Sequence, residues 1–164
     1  MQGVFRQVQD KLKQSIQALA PDQYFYIIFF GGDRLYEFGA GSLYVGQAGR
    51  LLRASPKAKS AAYNFIDSIK PWGQTNAWQA LQRAVQIRDS KGGSPSVIYF
   101  LTDGFELTEQ DAHKLPQKVA ELLREFAPTA KINTIGFWPA STDREILQSI
   151  AEQTGGQCIL ITGK

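Results

Sequence analysis

The stretch VIYFLTDG, residues 97–104, decides the fold. Val97 to Leu101 run without a polar interruption, and Thr102-Asp103-Gly104 stops them. A strand with one wet face alternates apolar and polar residues. A strand apolar at every position suits burial on both faces, as in a parallel sheet lying between helices. A second such run, YFYIIFF at 24–30, stops at Gly31-Gly32-Asp33.

Outward from residues 97–104, helices and strands alternate. Downstream the pattern predicts a helix over 109–126, with Pro116 marking a kink or restart. A strand over 131–137 and a helix over 143–153 follow, the helix closed by Gly155-Gly156, then a last strand over 157–162. Upstream, Val4, Phe5, Val8, Leu12, Ile16 and Leu19 form one stripe on a first helix that ends before Pro21. A short strand is expected at 34–38. The Gly-rich segment 39–56 holds Leu43, Tyr44 and Val45 as a further short strand or loop. A helix over 57–70 is broken by Pro71-Trp72-Gly73, and another covers 76–88. This order predicts an α/β fold: three α-β-α layers around a Rossmann-like, doubly wound, mostly parallel sheet. Ligands of such sheets bind beyond the carboxyl ends of the strands. That makes 31–34, 72–76, 102–108 and 138–142 the candidate rim.

Composition narrows the function classes. The chain has 164 residues, 43% hydrophobic and 20% charged, which suits a single globular domain. A net charge of +3 is weak for a nucleic-acid binder. One cysteine excludes an intrachain disulfide framework and a multi-Cys zinc site, and one histidine excludes HExxH chemistry. No apolar run approaches the roughly 20 residues needed to span a bilayer. The opening residues do not read as a signal peptide, and localisation stays open.

Several enzyme signatures fail on inspection. Gly39-Ala40-Gly41-Ser42-Leu43-Tyr44 starts like a dinucleotide fingerprint, but Tyr44 stands where the third glycine belongs. Gly92-Gly93-Ser94-Pro95-Ser96 precedes a strand and is no nucleophile elbow. His113 reads as a solvated helix residue and Cys158 as a strand thiol. The basic run Arg50, Arg53, Lys57, Lys59 lacks interleaved stacking aromatics. Trp138 lies on the rim, as a partner contact or as a plug over the core.

Two loops read differently together than apart. Gly73-Gln74-Thr75-Asn76 opens a helix, and Thr102-Asp103-Gly104 closes a strand. Alone, each is an ordinary cap or turn. In this order, with Ile132-Asn133-Thr134-Ile135-Gly136 and the IAEQTGG of residues 150–156, the chain resembles the von Willebrand factor A domain over nearly its whole length. The resemblance implies a protein-binding module without catalysis. It also implies a metal-ion-dependent adhesion site for Mg²⁺ or Mn²⁺, whose cation takes a partner carboxylate. Hard cations of this kind prefer oxygen ligands. By position, Thr75 matches the family's threonine ligand and Asp103 its third-loop aspartate. Asp33, Asn76, Glu106 and Trp138 are further rim contributors.

The chain departs from the family at its front. The family pattern runs strand, DxSxSM, helix, and no DxSxS occurs here. Met1 falls where the methionine after that motif belongs. The expectation is a single von Willebrand factor A-like domain over 1–164, N-terminally incomplete. Either a start at an internal methionine or a naturally shortened domain accounts for it. The absent strand is central in the family, between 24–30 and 97–101. Strands lie about 4.8 Å apart, so its loss leaves a slot near 10 Å wide or two apolar edges. Unpaired buried backbone groups cost roughly 1–3 kcal/mol each. Repair is expected, by closure of the flanking strands or by a homodimer through strand or edge pairing. Without DxSxS, Thr75 and Asp103 offer one hydroxyl and one carboxylate, a weak set for Mg²⁺. Two alternatives to the binding module stay open. One is a metal-assisted hydrolase resting on Asp103 and Glu106; the other is a structural remnant without a ligand.

Overall fold

Thr108 begins the longest helix because its Oγ1 accepts from the Asp111 N–H at 3.2 Å and satisfies a donor the helix leaves orphaned. The same logic starts two other helices in this computed structural model, which describes residues 2–32, 34–38, 49–70, 73 and 76–163. In chain order the elements are α1 (Gln2–Gln17), β1 (Tyr24–Phe25), β2 (Ile28–Gly31), β3 (Arg34–Glu37), β4 (Leu52–Arg53), α2 (Pro56–Ser68) and α3 (Ala77–Ala84). They continue with β5 (Val97–Thr102), α4 (Glu109–Phe126), β6 (Lys131–Phe137), α5 (Ser141–Gln153) and β7 (Cys158–Ile161). The chain divides into two units, Met1–Gly73 with Ile87–Gly93, and Gln74–Gln86 with Ser94–Lys164.

In the first unit, β1 pairs antiparallel with β4, and β2 antiparallel with β3. The expected single strand over 24–30 is therefore two strands with Tyr26 and Ile27 between them. The split marks a change of partner, from β4 for Tyr24 and Phe25 to β3 for Ile28 to Gly31, and the Tyr26 hydroxyl bonds to both sides. That hydroxyl donates to Glu37 Oε1 at 2.9 Å and accepts from the Gly49 N–H at 2.8 Å. The core of this unit is aromatic. Phe38 stacks on Phe25 with ring centroids 5.9 Å apart and meets Phe65 at 5.6 Å, and Phe29 meets Phe5 at 6.1 Å. Offset and tilted ring pairs are the favoured arrangements. Ala58, Ala62 and Ile66 of α2 and Ile16 of α1 complete that core. The short strand considered at Leu43–Val45 lies outside the described residues.

In the second unit, β5, β6 and β7 form a parallel sheet in that order. Parallel neighbours need helical crossovers, and α4 and α5 supply them. Helix α5 lies directly on β6. Gly136 leaves room for Leu147, whose Cδ1 is 2.7 Å from where a Cβ would stand, and fully buried Thr134 donates from Oγ1 to the Leu147 carbonyl at 2.9 Å. Gly155, at φ 73°, ends α5, and the Gly156 N–H returns to the Ala151 carbonyl at 2.8 Å.

Two expectations are corrected. Of the kink or restart expected at Pro116, the restart is corrected: α4 is continuous over Glu109–Phe126. Its buried face of Leu115, Pro116, Val119 and Leu123 outweighs the roughly 3 kcal/mol a mid-helix proline costs. And β5 is not buried on both faces: Val97 is 41% exposed and Tyr99 63%.

Candidate functional site

The segment after β5 is pinned at three points. Thr102 is buried, and its Oγ1 donates to the Gly104 carbonyl at 2.8 Å and accepts from the Gly104 N–H at 3.2 Å. The Phe105 ring packs on Phe100, centroids 5.9 Å apart. The Phe105 N–H donates to Asp143 Oδ1 at 3.3 Å. The other oxygen of Asp143 lies 2.9 Å from where a Cβ on Gly104 would stand, so a side chain there would have to displace that carboxylate. Together these contacts hold the turn and leave the intervening Asp103 exposed.

The neighbouring strand ends in a second exposed group. Thr102 and Gly136 are register partners, so β5 and β6 finish side by side. Trp138, two residues beyond Gly136, is 38% exposed and adopts φ 49°. A bulky non-glycine residue rarely takes the left-handed region, and strained residues cluster at functional sites. The conformation is held by the Trp138 N–H, which donates to the Ile161 carbonyl at 2.9 Å, and by Phe137, whose ring lies 6.3 Å from the indole.

Of the expected rim residues, Asp103, Glu106 and Trp138 are exposed in the second unit, at or just after the carboxyl ends of β5 and β6. Asn76, also exposed, caps α3: its Oδ1 accepts from the Gln79 N–H at 3.2 Å. Asp33 and Thr75 lie outside the described residues. Gly73, which opens the second loop, is described in the first unit. At φ 58° it approaches Gly32 so closely that a Cβ would stand 3.0 Å from the Gly32 nitrogen. Asp143 carries no sign of this role in the sequence, where it reads as an ordinary acidic residue in the first turn of a helix. The nearest signal is Ala140 at the N-cap, which makes no side-chain capping bond.

Among the described residues, no group of three or more His, Cys, Asp or Glu side chains is placed to hold a metal ion. Thr102 already uses its hydroxyl as both donor and acceptor within the turn. The described residues therefore do not by themselves fit a divalent cation shell.

The parallel β5-β6-β7 sheet with its helical crossovers defines an α/β domain. The family model described as von Willebrand factor type A domain matches residues 1–159, and the chain belongs to that family. Its fold is similar to a solved structure, the von Willebrand factor type A protein from Catenulispora acidiphila. The TM-score is 0.74 at 19% identity, over 96% of this chain and 34% of that one. The chain thus spans about a third of that relative's length. No curated protein matches the chain. Among the described residues, no helix is long and apolar enough to cross a membrane.

Proposed function

We propose that this domain is a protein-interaction module whose partner is recognised at the carboxyl edge of the β5-β6-β7 sheet, with no reaction of its own. The observation that carries this reading is that Asp103, on a turn pinned from three sides, and Trp138, held exposed in a left-handed conformation, follow the carboxyl ends of two neighbouring strands. Exposed aromatic residues are the kind of anchor that dominates interface energetics. Any contribution of Mg²⁺ or Mn²⁺ through Thr75 and Asp103 rests on one hydroxyl and one carboxylate, a weak set. Affinity capture from a lysate of the source organism tests the reading. Wild type retains a protein that Asp103→Ala and Trp138→Ala each lose; identical capture by all three overturns it.

A second reading concerns self-association. Strand β5 stands at the end of its sheet's order, and its sequence VIYFLT has no charge or proline. Natural sheet edges are usually blunted by one or the other. This supports a homodimer formed by edge pairing at β5. Light scattering across a concentration series tests it: a dimer that Phe100→Pro removes is expected, and a monomer at every concentration rejects it.

A further inference from the structure

Arg50 and Arg88 lie far apart in sequence but are partners in an isolated parallel bridge of the first unit. The Arg88 N–H donates to the Gly49 carbonyl at 3.0 Å, and the Leu51 N–H donates to the Arg88 carbonyl at 2.8 Å. Bridge partners present their side chains to the same side, on backbones about 4.8 Å apart. Like charges set directly opposite each other destabilise a strand pair. Here both partners are arginine, and Lys91 is exposed on the turn that follows. Both guanidinium groups are anchored. Arg50 Nη1 donates to the Asp89 carbonyl at 3.2 Å and Arg88 Nη1 to the Ile87 carbonyl at 2.8 Å. Residues two apart on an extended chain lie about 6.6 Å from one another. One tetrahedral oxyanion bridges such a span, with charge-assisted bonds of about 2.8 Å on either side. A guanidinium carries five donors, so a bond to a carbonyl does not exhaust it.

We propose that Arg50, Arg88 and Lys91 hold a phosphate dianion, either free phosphate or a phosphomonoester carried by a partner. Charge selects the ligand. The carboxylate beside them is Asp89, whose Oδ1 is committed to its own turn, where it accepts from the Gly93 and Lys91 N–H groups. Those two bonds, and after them the charges of Lys91 and Arg50, keep that carboxyl ionised. Among the described residues, no carboxylate forms an ion pair with Arg50 or Lys91. Three cations beside one carboxylate leave two positive charges, which a phosphomonoester matches and a single carboxylate does not. Paired arginines suit its geometry, because the planar fork of each reaches two oxygens. Nucleic acid is disfavoured, because its diesters carry one charge each and the basic stretch lacks stacking aromatics.

The test titrates the isotopically labelled chain with inorganic phosphate at constant ionic strength and follows backbone amide and arginine Nε–H resonances. Saturable shifts are expected at Arg50, Arg88 and Lys91. Arg50→Gln and Arg88→Gln should each raise the Kd about tenfold. Arg53→Gln should leave it unchanged, although it removes the same charge from an exposed arginine of β4 whose Nε donates to the Pro21 carbonyl. Arg50→Lys, which keeps the charge and loses the fork, should weaken binding several-fold and stands in for any glutamine variant whose spectrum shows misfolding. A Gly-Ser peptide carrying one phosphoserine identifies the source. A Kd below that of inorganic phosphate assigns a partner's phosphomonoester; a Kd at or above it assigns free phosphate. The absence of saturable shifts overturns the proposal. So does a loss in Arg53→Gln equal to that in Arg50→Gln, or a short oligonucleotide bound more tightly than the phosphopeptide, because the surface is then a diffuse basic one.

Discussion

The backbone N–H of Phe105 donates to the carboxylate of Asp143 across 3.3 Å, joining the turn after β5 to the first turn of α5. The bond spans 38 residues of sequence and fixes where Asp103 stands. Asp143→Ala is expected to loosen the turn more than it destabilises the domain. The stability loss should be about 1 kcal/mol, because the carboxylate is only partly buried. Amide exchange at Phe105 should quicken clearly while the urea midpoint falls slightly. Unchanged exchange there would show that the Phe105 ring on Phe100 suffices.

Trp138 is expected to separate stability from binding. At φ 49° a non-glycine residue carries roughly 1–2 kcal/mol of backbone strain that glycine avoids. Trp138→Gly relieves it but loses the contact with Phe137. The two effects offset, so the melting temperature should stay within about 4 °C while partner capture is lost. A large fall in melting temperature would mean that the indole is a structural plug.

The packing of α5 on β6 leaves no room at Gly136. A Cβ there would meet Leu147 Cδ1 at 2.7 Å and Pro139 Cγ at 2.9 Å. Gly136→Ala should cost about 1–3 kcal/mol, read from denaturant midpoints. Adding Leu147→Ala should recover part of that loss relative to Leu147→Ala alone, since it removes one of the two clashing groups.

Thr134 is fully buried, and its hydroxyl donates to the Leu147 carbonyl at 2.9 Å. Thr134→Val keeps the volume and removes the donor. A loss of about 1–2 kcal/mol is expected. Thr134→Ser should keep the hydrogen bond and lose only a methyl group, so it should be the milder change if the bond dominates.

Asp89 makes part of the first unit's stability depend on pH. Its Oδ1 accepts from the Gly93 N–H at 2.7 Å and the Lys91 N–H at 2.8 Å, and these bonds hold its carboxyl below the ordinary value of 3.8. A pKa depressed by folding adds stability above the unfolded value, and that stability is lost as pH falls through the folded value. The urea midpoints of wild type and Asp89→Asn should therefore differ near neutral pH and converge below pH 3.8. A gap that persists in acid would assign the difference to turn geometry instead of charge.

What sequence alone determined was local. Apolar periodicity placed α4 at 109–126 and β6 at 131–137, and both stand there, because the pattern of buried positions is written into each element. Gly155 was legible as the end of α5 because a left-handed residue there is a local requirement. The family followed from motif order in the same way. The rest depended on contacts between distant residues. Nothing near Tyr26 says that the apolar run will change partner there, from Leu52–Arg53 to Arg34–Glu37. Nothing near Asp143 says that it will hold Phe105. The unbroken apolar run at Val97 to Leu101 pointed to a strand covered on both faces, yet Tyr99 is largely exposed. Apolar residues state that a face should be covered; only the tertiary arrangement of other elements decides whether it is.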